Sequence, residues 1–218
     1  MASSPFTQCL PTDELARYSR PIILRGWGPE KQVAVRGKKA LVVGAGGLGC
    51  PAVMYLAGAG VGSITIVDDD VVASDNLHRQ VAHTEAGAVE RKPKARSLAD
   101  AAMALNPTVR AHAVCERFSA ANGVALAADA DVVVDATDNP VARYLVNDAA
   151  VLAGHKPLVW GAALGWDGQV TVHGYRGGPC YRCVHPAPPP ANMVGSCSDA
   201  GVMGPVPGLV GCYMVCDH

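Results

Sequence analysis

The sequence has almost no net charge. Its 18 Lys and Arg residues face 19 Asp and Glu, formally −1. With no basic footprint, direct nucleic-acid binding is not expected. Charged residues make up only 17% of the 218 positions, while 50% are hydrophobic and Gly and Ala abound. Such a composition suits closely packed helices on a buried sheet and not a disordered tail. No run of about 18 apolar residues occurs, so no membrane span is expected. The first stretch, MASSPFTQCLPTDELARYS, has neither a basic lead nor an apolar core of leader length, so the expected location is cytoplasmic. No internal repeat and no low-complexity tract is present. The length fits one domain with room for an extension.

What is there alternates strands with helices. TDELARYSRPIIL (Thr12 to Leu24) reads as a short helix that Thr12 can cap, with Asp13 and Glu14 at its positive end and Pro21 as a kink or stop. Ala40 to Val43 is a continuous apolar run, as in a strand covered on both faces. The glycines Gly44 to Gly49 follow, and then a helical pattern to Gly58. Ser63 to Asp70 predicts a second strand, KPKARSLADAAMALNP a helix ending before Pro107, and VRAHAVC a third strand. SAANGVALAADA predicts a helix and DVVVDATDN a fourth strand with a polar end. PVARYLVNDAAVLAG predicts a helix stopped by Gly154. PLVWGAA and GQVTVHGY read as two more strands, the second an edge-type alternator. The expected fold is α/β: a Rossmann-like, doubly wound, mostly parallel sheet. Residues 1–24 form a helical arm and 25–218 the domain. Within it, the Gly-, Pro- and Cys-rich segment 174–207 reads as a long functional loop, and a helix begins in GLVGCYMVCDH.

Gly44-Ala-Gly46-Gly-Leu-Gly49 fits G-x-G-x-x-G between a strand and a helix, where backbone N–H groups can approach phosphates. Asp68, at the end of the second strand, is placed to bind ribose hydroxyls. Together these say nucleotide, with an NAD dehydrogenase as the default. Three further features argue against hydride transfer. NLHRQ (Asn76 to Gln80) brings an amide and Arg79 above the sheet, Lys94 opens the next helix, and Asp138 and Asn139 end the fourth strand. All should share one rim at the carboxyl ends of the strands. Cations neutralise a triphosphate and a carboxylate can hold Mg²⁺, so the set points to chemistry at phosphorus. The alternative makes Arg79 and Lys94 solvated charges and Asp138 a helix cap.

RYSR (Arg17 to Arg20), GAGGLG, VDDD, NLHRQ, KPK, DATDN, PCYRC and CSDAGVMGP occur in that order. By them the chain resembles the adenylyltransferase family of MoeB, ThiF and the ubiquitin-activating enzymes, from about Asp13 to Cys216. The prolines between CYRC and the lone cysteine resemble the eukaryotic subgroup that activates sulfur carriers for molybdenum-cofactor synthesis and tRNA thiolation. The resemblance implies that the C-terminal Gly-Gly carboxylate of a ubiquitin-like sulfur carrier attacks the α-phosphate of ATP and releases pyrophosphate. It places Gly44, Gly46, Gly47 and Gly49 around the phosphates and Asp68 on the ribose. Asn76, Arg79 and Lys94 lie on the phosphates within a nucleotide-contacting set that includes Leu77, His78, Gln80 and Asn139, and Asp138 serves Mg²⁺. Arg20 matches an arginine that reaches into a partner subunit's site, which implies a homodimer. The family has Gln after that arginine. Here it is Pro21, which restricts the Arg20 backbone.

The eight cysteines are Cys9, Cys50, Cys115, Cys180, Cys183, Cys197, Cys212 and Cys216. In a cytosolic chain they point to metal binding or catalysis more than to disulfides. Cys9, Cys50 and Cys115 read as small buried hydrophobes. Cys180-x-x-Cys183 is half of a tetrahedral Zn²⁺ site, or else a reversible disulfide. The family completes the site with a second CxxC that this sequence does not contain, so Zn²⁺ is expected in an incomplete site. Cys212 and Cys216 fall on core positions of the last helix. By resemblance Cys197, in a small-residue loop, is the cysteine that bonds to the activated carrier. No neighbouring Lys or Arg lowers its pKa, and Asp199 would raise it. The last strands of the adenylation domain and the rhodanese domain of many eukaryotic relatives are also missing, so the chain is a fragment or takes sulfur from another protein. Two other readings stand beside this one: an NAD-dependent oxidoreductase, and a non-catalytic partner that binds a carrier without activating it.

Overall fold

A computed structural model describes residues 10–188 and 201–216. Its sheet has the strands β1 (Lys39–Val43), β2 (Ser63–Val67), β3 (Arg110–Val114), β4 (Val132–Asp135), β5 (Leu158–Leu164) and β6 (Asp167–His173), in the order β3-β2-β1-β4-β5-β6. The first five pair in parallel, and β6 returns antiparallel to β5. This is the doubly wound fold read from the sequence, and its strand order reverses between β1 and β4. At that switch point the loops after the two strands diverge and leave a crevice.

The helices are α1 (Thr12–Arg17), α2 (Ser19–Ile22), α3 (Gly28–Arg36), α4 (Gly49–Ala59), α5 (Glu85–Val89), α6 (Lys94–Leu105), α7 (Gly123–Ala128), α8 (Pro140–Leu152), α9 (Tyr181–Val184) and α10 (Pro205–Tyr213). Alternate residues of β1 divide the core. Ala40 and Val42 face a layer with Val53, Ala57, Leu98 and Ala102 from α4 and α6. Leu41 and Val43 face Ala127, Val146 and Ala149 from α7 and α8. Burying one such branched side chain stabilises the fold by about 1.5–3 kcal/mol. Helix α10 packs on α4 and on the β5–β6 hairpin. A side chain at Gly161 or Gly168 would collide with Met214 or Val210, and one at Gly211 with the Leu48 carbonyl. Three glycines thus let α10 close the sheet edge. Among the described residues no helix is long and apolar enough to cross a membrane.

Several local expectations differ from the structure. The single helix over Thr12 to Leu24 is two, broken at Tyr18, which is 3% exposed and takes a 2.8 Å hydrogen bond from Asn106 Nδ2. Pro21 lies inside α2, within the first turn, where its missing N–H has no intrahelical partner to lose. Pro11, not Thr12, holds the cap position of α1. β2 stops at Val67 rather than Asp70, and β4 at Asp135 rather than Asn139. β6 is exposed over its first five residues and does not alternate. α3 and α5 had no clear sequence signal, being short and amphipathic only in part. Cys115 and Cys216 are exposed and Cys212 is half-buried, so those three are not core cysteines. Cys50 is buried as expected. Cys9 lies outside the described residues.

Candidate functional site

A cleft of about 890 Å³ opens at the carboxyl ends of β1, β2, β4 and β5. Gly44, Gly46, Gly47, Asp68, Arg79, Gln80, Lys94, Asp138 and Asn139 all line it. The expected rim therefore exists. Gly44 follows β1 with φ +102°, a left-handed conformation open to glycine, and a Cβ there would lie 2.7 Å from the Ala136 carbonyl oxygen. Gly49 begins α4 and lies outside the lining. A Cβ on it would strike the Gly44 carbonyl, so it sets how closely the helix follows the strand. Gly46 and Gly47 line the cleft at the positive end of α4, Gly46 beside the Gln80 side chain and Gly47 against Pro207 of α10.

The polar groups come from four segments. Asp68 accepts hydrogen bonds from the Ala45 amide (Oδ2, 2.7 Å) and the Asp70 amide (Oδ1, 2.8 Å). Burial raises its carboxyl above the ordinary range, while those amides and the Lys94 charge pull it down. A 3₁₀ turn, Ser74–Asn76, leads into the next loop. There Asn76 Oδ1 accepts from Arg79 Nη2 at 2.6 Å and fixes the guanidinium. Asn76 and Leu77 are half-buried and His78 is exposed, and none of the three lines the cleft. Gln80 is 4% exposed, and its buried Oε1 has no hydrogen-bond partner among the described residues. Lys94 opens α6, with its Nζ 2.9 Å from Asp70 Oδ2. Asn139 accepts from the Ala142 amide at 2.8 Å and so caps α8. Asp138 is not the cap, and its carboxylate makes no hydrogen bond or ion pair with the described residues.

Asp135, the last residue of β4, was not singled out from the sequence. It is fully buried below the cleft floor, and its Oδ1 accepts from the Thr137 amide (3.0 Å) and hydroxyl (2.7 Å). Its Oδ2 has no partner among the described residues. Burial pushes its carboxyl up to about 6, against the Thr137 hydrogen bonds and the Arg143 charge. Two signals were available: an acid closing an apolar strand, and its place as the first residue of the DATDN motif.

Other expected residues stand apart from the cleft. Arg20 is on the exposed side of α2. Cys180 and Cys183 place their sulfurs 3.5 Å apart at α9. That segment is pinned to α8 by the Tyr181 amide on Asn147 Oδ1 (2.8 Å) and by Arg182 on both Asp148 oxygens (2.6 and 2.7 Å). Tyr181 also packs edge-on against Tyr144. Burial would raise the Cys180 thiol, but the Cys183 and Arg182 amides and the Cys183 and Asn147 side chains bring it below its ordinary value. Among the described residues no cluster of three or more His, Cys, Asp or Glu could hold a metal ion. Cys197 lies outside the described residues.

The chain is 47% identical over 203 residues to the adenylyltransferase and sulfurtransferase MOCS3 of Arabidopsis thaliana, covering 93% of this chain and 43% of that protein. It is 47% identical over 212 residues to the adenylyltransferase and sulfurtransferase UBA4 of Yarrowia lipolytica, covering 96% and 52%. The chain thus spans about half the length of these curated relatives. Among solved structures, Escherichia coli MccB superposes with a TM-score of 0.77 at 20% identity, over 94% of this chain and 61% of that one. PaaA does so with a TM-score of 0.75 at 20% identity, over 99% and 68%. At that identity the likeness is one of fold. The ThiF family matches residues 18–217, and the chain belongs to that family.

Proposed function

We propose that the chain is the adenylating part of an enzyme that activates the C-terminal glycine of a ubiquitin-like sulfur carrier, for molybdenum-cofactor synthesis, tRNA thiolation or both. The observation that carries this reading is the meeting, in one cleft, of a glycine loop at a helix N-terminus, two cations and a partnerless carboxylate. The glycine backbone at Gly46 and Gly47 in the cleft lining and the orphaned Gln80 Oε1 suit a polar nucleotide. The loop amides, Arg79 and Lys94 hold the phosphates of ATP, and Asp68 orients the ribose. The carrier's carboxylate oxygen bonds to the α-phosphorus as the bond to the bridging oxygen of the β-phosphate breaks, and pyrophosphate departs. The cations neutralise charge that grows on the departing group, and the fixed geometry replaces a chance encounter. Asp138, a hard oxygen donor, would hold Mg²⁺, which supplies further positive charge at the phosphates.

In this reading Arg20 serves the site of a second copy in a homodimer, Cys197 bonds covalently to the activated carrier as AMP leaves, and sulfur comes from another protein. The enzyme works in the cytoplasm. Cys180 and Cys183 supply two corners of a Zn²⁺ site, because sulfurs 3.5 Å apart suit two ligands on one tetrahedral ion. Pyrophosphate exchange into ATP, measured with a panel of carriers ending in Gly-Gly, tests the proposal. Exchange that depends on one carrier is expected. NADH binding without exchange would favour an oxidoreductase, and carrier binding without exchange a non-catalytic partner.

A further inference from the structure

His83 belongs to none of the motifs above, yet it joins three segments of the cleft. The ring is 6% exposed. Its Nε2 is 2.9 Å from the Ala45 carbonyl oxygen and its Nδ1 3.0 Å from Ser97 Oγ. A carbonyl oxygen only accepts, so Nε2 carries the hydrogen. Burial and the nearby Lys94 charge hold the imidazole below its ordinary pKa, against the Ala45 hydrogen bond and Asp68. In the neutral ring Nδ1 is then an acceptor, and the Ser97 hydroxyl donates to it. Cys50, 3.7 Å from Nε2, has its thiol pushed up to about 12, chiefly by burial, stays protonated, and is a second, weaker donor to the Ala45 carbonyl at 3.5 Å.

Each contact ends on a segment that forms the cleft. Ala45 lies in the glycine loop, and its amide is already held by Asp68, so the residue is gripped through both its N–H and its C=O. Ser97 is on α6, one turn beyond Lys94. The His83 amide donates to the Gln80 carbonyl at 3.0 Å, which ties the ring to the turn carrying Arg79 and Gln80. One imidazole thus sets the spacing of the glycine loop, the lysine helix and the arginine turn.

We propose that His83 is a positioning residue for nucleoside triphosphate binding, fixing the glycine loop through Ala45 and registering it against α6 through Ser97. The proposal rests on the nucleotide reading of the cleft. Two near-isosteres separate the two hydrogen bonds. His83→Gln keeps an amide nitrogen near the position of Nε2 and so keeps the donor to Ala45. His83→Asn keeps a polar group near Nδ1 and loses that donor.

The test measures Mg²⁺–ATP affinity by titration calorimetry, together with amide hydrogen exchange in the protein without nucleotide. His83→Asn should weaken ATP binding about tenfold, the scale of losing one buried hydrogen bond, because the weak Cys50 thiol donor does not replace the imidazole N–H. It should also speed exchange across residues 44–49 while the β1, β2 and β4 amides keep their protection. His83→Gln should stay within about threefold of the native protein in both measurements. If His83→Asn does not fold, Ser97→Ala, which leaves the ring in place but free to turn, should speed exchange over the same loop and weaken ATP binding in proportion. Equal losses in His83→Gln and His83→Asn that track a common fall in melting temperature would reduce His83 to a core residue. Nucleotide binding by the native protein with His83→Asn or Ser97→Ala unchanged would overturn the positioning role alone. A native protein with no affinity for Mg²⁺–ATP would overturn the nucleotide reading and this role with it.

Discussion

Lys94 Nζ lies 2.9 Å from Asp70 Oδ2, with the lysine side chain 8% exposed and the aspartate 70%. The ammonium is buried and the carboxylate faces water, so Asp70 offsets part of the cost of burying that charge. Asp70→Asn should lower stability by more than the roughly 1 kcal/mol typical of a fully exposed pair. Lys94→Ala and Asp138→Ala should each lower carrier-dependent exchange by roughly 10²–10³, the usual loss when a preorganised charge is removed. Native-like exchange in folded Lys94→Ala and Asp138→Ala would take both residues out of the mechanism.

Gly49 and Gly58 lie in the same helix and should respond in opposite senses to alanine. At Gly49 a Cβ meets the Gly44 backbone, which cannot rotate away. Gly49→Ala should cost about 3 kcal/mol or more. At Gly58 the nearest atom to a Cβ is Leu105 Cδ2 at 3.9 Å, an ordinary contact. Gly58→Ala should add about 0.5–1 kcal/mol through helix propensity alone. Denaturant midpoints at constant m-value check both.

Asp135 should leave a mark on stability against pH. Its folded carboxyl titrates at about 6, above the ordinary 3.8. The folded state therefore binds the proton more tightly, and this stabilisation is full below about pH 4 and lost as pH rises through 6. A carboxyl moved from 3.8 to about 6 corresponds to about 3 kcal/mol. Asp135→Asn keeps an oxygen for Thr137 and has no proton to lose. Between pH 4 and 6.5 the unfolding free energy of the native protein, measured relative to Asp135→Asn, should fall with rising pH. A difference that is constant across that range would place the titration elsewhere.

Cys197 and Cys180 should separate activation from transfer. Adenylate formation needs charge and orientation but no thiol, whereas covalent capture of the carrier needs a thiolate. Cys197→Ala should keep exchange within a fewfold and lose the reducible carrier conjugate. Cys180→Ala should lower stability and bound zinc together. Zinc itself should be weakly held and removable by chelator, since two thiolates fill half of a tetrahedral site. Tight one-to-one zinc after dialysis against chelator would show that other ligands complete it, and a conjugate mapped to another cysteine would displace Cys197.

The sheet, the glycine loop and the charged rim were legible in the sequence because each is written over a few neighbouring residues. An apolar run of strand length, a turn that needs glycine and a cap before a helix carry local signals, and Asp68, Arg79, Lys94 and Asp138 each sit at the end of such a unit. Right-handed crossovers then bring those ends to one side of the sheet whatever the details of packing. What the tertiary structure alone decided depends on contacts between distant segments. His83 and Ala45 are 38 residues apart, and no spacing rule links them. Gly161, Gly168 and Gly211 look like ordinary loop or strand glycines until α10 is laid over β5 and β6. Cys115 and Cys216 look like core residues by type, but both lie just past the end of a strand or helix and are exposed, and Cys212 on α10 is only half-buried. Asp135 shares its strand with three valines, and only the packing of α8 over β4 buries it and raises its pKa. Hydrophobic period fixes which face of an element is apolar. The depth at which a side chain ends is set by what arrives on that face from elsewhere in the chain.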